Sequence, residues 1–434
     1  MKCNGLIGEI IVPGDKSITH RAIILGSLST GKMNIIDPLL GEDCISTINI
    51  FRHLGVDIQI DEARRKINID SKGYRNFKEP TQVLDTGNSG TTTRLLSGVL
   101  AGLPFMTVMS GDHTIAKRPM DRVINPLRLM GVDIIGSKNN NHTPLVINSR
   151  RNQVEIDGVT YDMPVKSAQV KSAILFAGLY AKDDVLVKEQ VTSRNHTELM
   201  FKQFGVDIGV RDGYIHLPKQ SINKLMTTDL QVPGDISSAA FFIVAGLIIP
   251  NSHIVIKNVG TNVTRSGIIE VVQAMGGQIT LSSESNGAEP ISNIEVKYTD
   301  TLVATDVFGD MIPTLIDEIP IIALLMTQAV GKSIIRDAEE LRVKETNRID
   351  KVVESLNQLG YYLEAIEDGM IVYGQEKTTM QNQQFSTFHD HRIGMLLAVA
   401  NLLEDKEMVI NHFEAVNVSY PTFMNDLRKL QGGH

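Results

Sequence analysis

The stretch "FRHLGVDIQI", residues 51–60, places apolar residues at helical spacing before a glycine and alternating residues after it. Four other stretches repeat the pattern: "LRLMGVDIIG" (127–136), "FKQFGVDIGV" (201–210), "VQAMGGQITL" (272–281) and "LNQLGYYLEA" (356–365). Their glycines, Gly55, Gly131, Gly205, Gly276 and Gly360, are separated by 76, 74, 71 and 84 residues. We predict that each glycine ends a helix in the left-handed conformation before a strand, in a unit of about 70 residues repeated five times.

A second repetition divides the chain. "VPGD" occurs at residues 12–15 and again at 232–235, but only the first copy is followed by cations, Lys16 and Arg21. If a sixth unit is shared between the chain ends, six units form two groups of three, and the two copies hold equivalent positions. We therefore predict an α/β (α+β) chain with one domain of residues 1–14 plus 232–434 and another of residues 15–231. Two hinge crossovers, near 12–15 and 231–235, would then flank a ligand cleft.

Composition narrows the class of ligand. The net charge of −8, the absence of tryptophan and the 5% of aromatic residues argue against nucleic-acid binding. The longest apolar runs are shorter than the roughly 20 residues that span a membrane. Two cysteines, Cys3 and Cys44, leave no disulfide framework. We expect a cytoplasmic protein, without a signal peptide, whose anionic ligand is held by a local group of cations.

Such cations stand in turn-like stretches beside predicted helices. In "GDKSITHRA" (14–22), Lys16 and Ser17 begin a helix, with Arg21 one turn later. The stretch "GNSGTTTR" (87–94) is a glycine-rich loop that opens an apolar helix, and it matches neither a Walker A loop nor a dinucleotide motif. In "AKRPM" (116–120), the proline is expected at the first position of a helix, with Arg118 at its positive end.

The second half of the sequence adds acids to the cations. In "LRVKETNR" (341–348), we predict that Lys344 and Arg348 lie on one helical face with Glu345 beside them. "LIDEIP" (315–320) places Asp317 before an apolar helix, where it becomes a candidate base only if it faces the cations. "HDHR" (389–392) is a weak metal motif, and we interpret Arg392 as the start of a helix instead.

Taken in order, "PGDKSITHRA", "GNSGTTTR", "AKRPM", "LRVKETNR" and "DHR" resemble the motifs of the 5-enolpyruvylshikimate-3-phosphate synthase family. The resemblance runs from residue 12 to about residue 421. It implies a two-domain inside-out α/β barrel, in which each domain has three βαβαββ repeats about a threefold pseudo-axis. It also implies transfer of the enolpyruvyl group of phosphoenolpyruvate to the 5-hydroxyl of shikimate 3-phosphate, with release of phosphate and without metal or cofactor. We expect a monomer as the default, since no exposed apolar patch can be read from the sequence.

The same resemblance assigns site residues by motif. The implied catalytic residues are Asp317, which takes the proton of the attacking hydroxyl, Glu345, which carries the proton at the methylene carbon, and Lys16, which serves both substrates. The implied shikimate 3-phosphate contacts are Lys16, Ser17, Arg21, Ser167, Gln169, Asp317 and Lys344. The implied phosphoenolpyruvate contacts are Lys16, Asn88, Gly90, Arg118, Gln169, Arg348 and Arg392.

This chain departs from the family pattern at three places. Val418 stands where the family often has a lysine, Ala168 replaces a serine before Gln169, and "SRNHTE" (193–198) also differs. These changes affect expected phosphate contacts, so sensitivity to the inhibitor glyphosate does not follow from the sequence.

Two alternatives stay open at this point. The first is the related enolpyruvyl transferase that acts on UDP-N-acetylglucosamine, although the chain begins its motif with "GDKSITHRA" rather than "GAKNA". The second is a binding protein that has lost catalysis, although Asp317 and Glu345 are both present.

Overall fold

The computed structural model describes residues 3–148, 156–283 and 287–432. Contacts within the chain divide it into two compact units: a central unit, Gly14–Val232, and a terminal unit, Met1–Pro13 with Pro233–His434. Each unit has its own core of buried aliphatic and aromatic side chains.

The chain enters through one strand of the terminal unit, β1 (Ile7–Ile10), and then forms the central unit. The helices of the central unit are α1 (Lys16–Leu28), α2 (Glu42–His53), α3 (Gly90–Ala101), α4 (Asp121–Leu129), α5 (Ser137–Asn140), α6 (Ala168–Gly178) and α7 (His196–Gln203). Its strands are β2 (Thr30–Ile36), β3 (Asp57–Asp61), β4 (Lys66–Lys72), β5 (Leu84–Asp85), β6 (Met106–Ser110), β7 (Ile134–Gly136), β8 (His142–Asn148), β9 (Thr160–Asp162), β10 (Val185–Lys188), β11 (Gly209–Arg211), β12 (Tyr214–Leu217) and β13 (Leu230–Gln231).

The terminal unit continues after the second "VPGD". Its helices are α8 (Ile236–Ile248), α9 (Gly267–Ala274), α10 (Ile312–Leu315), α11 (Ile319–Thr327), α12 (Arg348–Gln358), α13 (His391–Asn401) and α14 (Phe423–Leu430). Its further strands are β14 (His253–Gly260), β15 (Gln278–Ser283), β16 (Ile291–Lys297), β17 (Gly331–Ile335), β18 (Tyr361–Ile366), β19 (Gly369–Lys377), β20 (Gln384–Ser386) and β21 (Val409–Asn411).

The three sheets of the central unit share one plan. Their strand orders are β13-β2-β4-β3, β5-β6-β8-β7 and β9-β10-β12-β11. In each sheet the first two strands are parallel, and the last two pairings are antiparallel. A parallel neighbour needs a crossover helix and an antiparallel neighbour needs only a short turn, which gives the βαβαββ repeat. The helices α1, α3 and α6 are almost wholly buried, so this unit has helices inside and sheets outside.

The terminal unit follows the same plan with one shortened repeat. Its first sheet, β1-β14-β16-β15, is complete. The second, β17-β19-β18, adds two parallel bridges, Val303 to Val330 and Val307 to Ile335. The third has only the parallel pair β20 and β21 among the described residues. The expectation of a sixth unit shared between the chain ends is wrong in one respect, because β1 pairs with β14 in the fourth repeat.

The five repeated glycines have the predicted conformation. Gly55, Gly131, Gly205, Gly276 and Gly360 have φ values of 92°, 81°, 85°, 79° and 92°. Each follows one of the helices α2, α4, α7, α9 and α12, and each precedes a strand. Only glycine adopts this backbone without a steric penalty from Cβ, so the helix ends were encoded locally.

None of the helices among the described residues combines the length and the apolar character required to cross a bilayer.

Candidate active site

The first cationic motif of the central unit begins a buried helix, as predicted. Asp15 caps α1, because its Oδ1 accepts a hydrogen bond from the Ile18 amide at 2.9 Å. Lys16 is the first residue of the helix, and its Nζ lies 3.0 Å from Oδ2 of Asp43. Asp43 is also tied to α3, since the Thr92 hydroxyl donates to its backbone carbonyl at 3.3 Å. Lys16 is therefore held beside the helix that follows the glycine-rich loop.

Arg21 lies one turn further along α1 and is buried, with 3% of its surface exposed. Its Nε donates to Thr197 Oγ1 at 2.7 Å, and one terminal nitrogen donates to Ser172 Oγ at 2.7 Å. The other terminal nitrogen donates to the Ser17 carbonyl at 2.9 Å. The guanidinium group is thus fixed on several sides and joins Ser17 to α6 and α7.

The glycine-rich loop brings two arginines together. Gly87 has φ 56°, and its amide donates to Oδ1 of Asp85 at 2.8 Å, so the loop turns sharply before Asn88. Ser89 caps α3, which begins at Gly90. A Cβ added at Gly90 would lie 3.0 Å from a terminal nitrogen of Arg118 and 3.4 Å from one of Arg94. A larger side chain at this position would press on both guanidinium groups.

Arg94 is a residue that the sequence analysis left out of the predicted site. Its terminal nitrogen donates to Gln169 Oε1 at 2.5 Å, and the amide of Gln169 donates to Thr91 Oγ1 at 3.0 Å. Ser167 caps α6 two residues before Gln169. The starts of α3 and α6 are therefore joined by side chains. The signal for Arg94 was its position at the end of "GNSGTTTR", one helical turn from Gly90.

The predicted helix start at Pro119 is wrong. Arg118 is extended, with φ −82° and ψ 136°, and α4 begins only at Asp121. A residue before proline is biased towards this extended conformation. The amide of Met120 donates to the Asn141 carbonyl at 2.8 Å, outside the helix. Arg118 reaches Gly90 from an extended segment rather than from a helix end.

In the terminal unit, Asp317 faces three cations. Its Oδ1 lies 3.5 Å from a terminal nitrogen of Arg348 and 3.8 Å from Lys344 Nζ. Its Oδ2 lies 4.0 Å from a terminal nitrogen of Arg392. The Asp317 side chain keeps 16% of its surface exposed, and α11 after it is apolar and buried, as predicted. Asp317 therefore faces the cations, which is the condition under which the sequence made it a candidate base.

Arg348 connects Asp317 to Glu345. A terminal nitrogen of its guanidinium donates to Glu345 Oε2 at 2.6 Å, and its Nε donates to Asp390 Oδ2 at 2.8 Å. Burial alone would lower the pKa of Arg348, but Asp390 and Glu345 outweigh burial and raise it. Burial likewise opposes ionisation of Asp390, yet Arg348 holds the pKa of that carboxyl below its usual value. Arg348 is thus a permanent cation that fixes carboxylates on two sides.

The predicted common helix for Lys344 and Arg348 is wrong. Lys344 follows a 3₁₀-helix, Glu339–Val343, in an extended conformation, and α12 begins only at Arg348. The side chain of Asn347 caps α12 by accepting from the Asp350 amide at 3.3 Å. Asparagine favours such a cap, which interrupts the helical pattern. Lys344 and Arg348 meet at Asp317 through the turn and not along one helix.

A buried network behind Asp317 was missed by the sequence analysis. Glu318 is wholly buried, accepts a short hydrogen bond from Ser237, and lies 3.8 Å from a terminal nitrogen of Arg392. Arg265 donates to Ser237 Oγ at 2.7 Å and to Asp235 Oδ1 at 2.8 Å. This network connects the second "VPGD" to Arg392. No local pattern predicts it, since Arg265 lies 30 residues from Asp235 along the chain.

The "HDHR" stretch caps a helix. Asp390 caps α13 by accepting from the Arg392 amide at 2.9 Å. Burial lowers the pKa of His391 to about 4, and Arg392 adds to that shift. Within the described residues, no group of three or more histidine, cysteine, aspartate or glutamate side chains is arranged to hold a metal ion. Val418, at the position where the family often has lysine, ends a short 3₁₀-helix, Phe413–Val418.

Comparison with known proteins agrees with these motifs. A family model described as EPSP synthase (3-phosphoshikimate 1-carboxyvinyltransferase) matches residues 2–427. The chain is 53% identical over 432 residues to the 3-phosphoshikimate 1-carboxyvinyltransferase of Staphylococcus saprophyticus, covering 99% of this chain and 98% of that protein. It is 54% identical over 426 residues to the enzyme of that name from Staphylococcus haemolyticus, covering 98% of this chain and 96% of that protein.

A solved structure gives the same answer for the fold. The EPSP synthase of Acinetobacter baumannii superposes with a TM-score of 0.88 at 37% identity, covering 99% of this chain and 97% of that one. These matches decide against the alternative of a transferase acting on UDP-N-acetylglucosamine. The chain belongs to the EPSP synthase (3-phosphoshikimate 1-carboxyvinyltransferase) family.

Proposed function

We propose which residues carry the reaction of this family, the transfer of the enolpyruvyl group from phosphoenolpyruvate to the 5-hydroxyl of shikimate 3-phosphate. The observation that carries the assignment is the position of Arg348. Its guanidinium lies 3.5 Å from Asp317 and 2.6 Å from Glu345, so one cation holds two carboxylates side by side. An addition followed by an elimination needs a base for the hydroxyl and an acid for the methylene carbon, and this pair supplies both.

The proposed chemistry proceeds in two steps. Asp317 accepts the proton of the 5-hydroxyl as the hydroxyl oxygen bonds to C2 of phosphoenolpyruvate, while Glu345, which enters this step protonated, donates its proton to C3. The adduct keeps its phosphate on C2. Glu345 then takes a proton back from C3, the C2–C3 double bond re-forms, and the bond from C2 to the phosphate oxygen breaks. The phosphate carries away the proton that the hydroxyl lost.

We propose that five side chains of the central unit bind shikimate 3-phosphate and that two of them, Lys16 and Gln169, also contact phosphoenolpyruvate. The proposed contacts are Lys16, Ser17, Arg21, Ser167 and Gln169. Support comes from the capped starts of α1 and α6, because helix amides and a nearby cation favour a phosphate. Lys344 and Asp317 of the terminal unit complete the set, as a salt bridge of 3.8 Å that a substrate hydroxyl would join.

Phosphoenolpyruvate has a phosphate and a carboxylate and therefore needs several cations. In the central unit we assign it to Lys16, Asn88, Gly90, Arg118 and Gln169, supported by the approach of Arg118 to the start of α3. In the terminal unit we assign it to Arg348 and Arg392, which both lie within 4.0 Å of Asp317. The chemistry requires both sets to act on one pair of substrates. We propose hinge motion at residues 12–15 and 231–235 for that purpose.

Phosphate release tests the assignment. We expect release from the purified chain only when shikimate 3-phosphate and phosphoenolpyruvate are both present. Glu345→Gln should lower kcat by about 10²- to 10⁴-fold, because it removes the proton carrier. The matched control is Glu340→Gln in the same segment, since Glu340 is half exposed and lies 3.6 Å from Lys344. Binding of both substrates without turnover in the unchanged chain would support the binding-protein alternative instead.

We also propose that the chain acts as a monomer in the cytoplasm. The separate buried core of each unit and the occurrence of only two cysteines in the sequence, Cys3 and Cys44, support this proposal. Light scattering of the active protein would measure the mass, and a dimer mass would contradict the first part.

A further inference from the structure

Lys171 in α6 is a buried cation for which the proposed chemistry has no direct use. Its side chain is 1% exposed, and its Nζ lies 2.7 Å from Glu198 Oε1 and 2.9 Å from Glu189 Oε2. It also donates to the backbone carbonyl of Ser193 at 3.5 Å. The two carboxylates come from the segment between β10 and α7 and from α7 itself. One ammonium group therefore fastens α7 and the segment before it to α6.

Each helix also has a hydroxyl residue next in sequence to its member of the ion pair. Ser172 follows Lys171, and Thr197 precedes Glu198; their hydroxyl oxygens are 2.7 Å apart and both are buried. Arg21 donates to each of these hydroxyls at 2.7 Å. The contact between α6 and α7 thus includes an ion pair and a hydroxyl pair as well as the packed rings of Phe176 and Phe201, whose centroids are 5.3 Å apart. The hydroxyl pair orients the guanidinium of Arg21.

We propose that Lys171 is a positioning residue for shikimate 3-phosphate binding. Its ammonium sets the position of α7 against α6, Thr197 takes its position from α7, and Thr197 with Ser172 fixes Arg21. Lys171 does not touch the substrate. The inference rests on the proposed role of Arg21 in shikimate 3-phosphate binding.

The physical reason lies in what a buried ion pair provides. Packed apolar residues of the same volume often give equal or greater stability, whereas an ion pair with directional hydrogen bonds restricts the helices to one geometry. Restriction matters here because a displacement of about 1 Å at a binding group can lower activity by up to about 100-fold.

The first experiment compares Lys171→Met with Lys171→Arg in the full chain. Isothermal titration calorimetry gives the Kd for shikimate 3-phosphate, and steady-state kinetics give both KM values. We expect Lys171→Met to raise Kd and KM for shikimate 3-phosphate about tenfold, with KM for phosphoenolpyruvate unchanged at saturating shikimate 3-phosphate. Lys171→Arg should recover part of the loss. The control is Lys32→Met, because Lys32 makes an exposed pair with Asp70 at 3.6 Å.

A double-mutant cycle with Arg21→Lys tests whether Lys171 acts through Arg21. In the Arg21→Lys background, Lys171→Met should change the Kd less than about twofold, because the group that it positions is already lost. Independent effects that multiply would overturn the inference, as would a lower unfolding midpoint with an unchanged Kd. Thr197→Val provides a second cycle should Lys171→Met fail to fold, since it removes the Arg21 contact and leaves the ion pair intact.

Different results would contradict the proposed function and the proposed role of Lys171. An unchanged chain that does not bind shikimate 3-phosphate contradicts the assignment of the substrate site. An unchanged chain that binds it, with Arg21→Lys weakened and Lys171→Met additive, contradicts only the role of Lys171.

Discussion

The buried helices of the two units begin differently. In the central unit, α1, α3 and α6 are capped by Asp15, Ser89 and Ser167, so two of the three caps are neutral. In the terminal unit, the residues before α8, α11 and α13 are Asp235, Glu318 and Asp390, so all three are acidic. Each of these acids lies within 3.8 Å of an arginine, Arg265, Arg392 and Arg348 respectively.

The difference between neutral and acidic caps agrees with the roles that we propose for the two units. A helix start favours an anion because of its unpaired amides and the helix dipole. The terminal unit supplies its own anions there, and its arginines are used to hold carboxylates, including the proposed base and acid. The central unit has neutral caps on α3 and α6 and adds cations, which suits the phosphate and carboxylate groups of substrates. Under this proposal, the same repeat gives proton transfer and part of the phosphoenolpyruvate site in the terminal unit, and binding of the other substrate anions in the central unit.

Removing an acidic cap should produce the largest effect on stability. Asp390→Asn keeps a capping side chain but removes the one fully buried carboxylate among the three described partners of Arg348, which lies 2.8 Å from its Nε. Breaking one partner of a buried ion pair costs about 3–5 kcal/mol of unfolding free energy. Urea unfolding at neutral pH would measure the change.

The matched control for that variant is Asp350→Asn. Asp350 pairs with Arg342 at 3.0 Å, but both side chains are substantially exposed. Exposed pairs contribute about 0–1 kcal/mol, so the control should unfold close to the unchanged chain. Equal losses for the two variants would contradict the importance of burial at the acidic caps.

One buried histidine in each unit should make stability depend on pH. Burial lowers the pKa of His20 to about 3, with Asp43 opposing the shift, and lowers that of His391 to about 4. Since these values lie below 6.5 for the unfolded chain, the unfolded state binds protons first as the pH falls. The neutral histidine keeps its full contribution to the unfolding free energy above pH 6.5. As the pH falls from 6.5 to about 4, His391 loses about 3 kcal/mol of that contribution.

The variants His20→Gln and His391→Gln test this expectation one unit at a time. Urea unfolding at several pH values between about 7 and 4 should give a flatter dependence of unfolding free energy on pH for each variant. A dependence as steep as that of the unchanged chain would show that the histidine does not titrate in this window.

An acidic cap at the start of α6 in the central unit should stabilise the helix and weaken the binding of a substrate anion there, as the acidic caps of the terminal unit are proposed to do. Ser167→Asp keeps the capping oxygen and improves the helix dipole interaction, so the unfolding free energy should stay equal or rise by up to about 1 kcal/mol. The new carboxylate occupies the proposed phosphate position, and we expect about tenfold weaker shikimate 3-phosphate binding by calorimetry. Ser167→Ala should instead lose about 0.5–2 kcal/mol of stability. Unchanged binding in Ser167→Asp would contradict the anion site at α6.

A smaller effect is expected at the start of α3. In Gly90→Ala, the added Cβ lies 3.0 Å from the Arg118 nitrogen, so the guanidinium must shift by a few tenths of an ångström. We expect KM for phosphoenolpyruvate to rise roughly fivefold, the equivalent of about 1 kcal/mol, with KM for shikimate 3-phosphate unchanged. The converse pattern in steady-state kinetics would place shikimate 3-phosphate, and not phosphoenolpyruvate, against Arg118.

Local signals in the sequence were sufficient for much of the fold. The repeated glycines ended helices as expected because a positive φ is a property of one residue and its neighbours. The start of α1 at Lys16 was likewise predictable from the Gly-Asp turn before it. Asp317 was placed correctly before an apolar helix for the same reason.

Predictions that joined separate signals were less successful. The spacing of Lys344 and Arg348 indicated one helix, but the cap formed by Asn347 separated them. The proline after Arg118 indicated a helix start that lies two residues later. In the first case the Asn347 cap started a new helix, and in the second the Met120 amide bonded to the Asn141 carbonyl outside the helix. Spacing along the sequence predicts neither of these local contacts.

The sequence by itself determined the repeat, the family motifs and the residue types that the chemistry needs, because these depend on neighbours along the chain or on motif identity. The tertiary structure alone decided which polar and charged side chains contact each other. Arg21 lies 176 residues from Thr197, and Arg348 lies 42 residues from Asp390, yet each pair is in hydrogen-bond contact. Burial then makes each of these contacts necessary, since a charged group removed from water is stable only when a hydrogen-bond or ion-pair partner lies next to it.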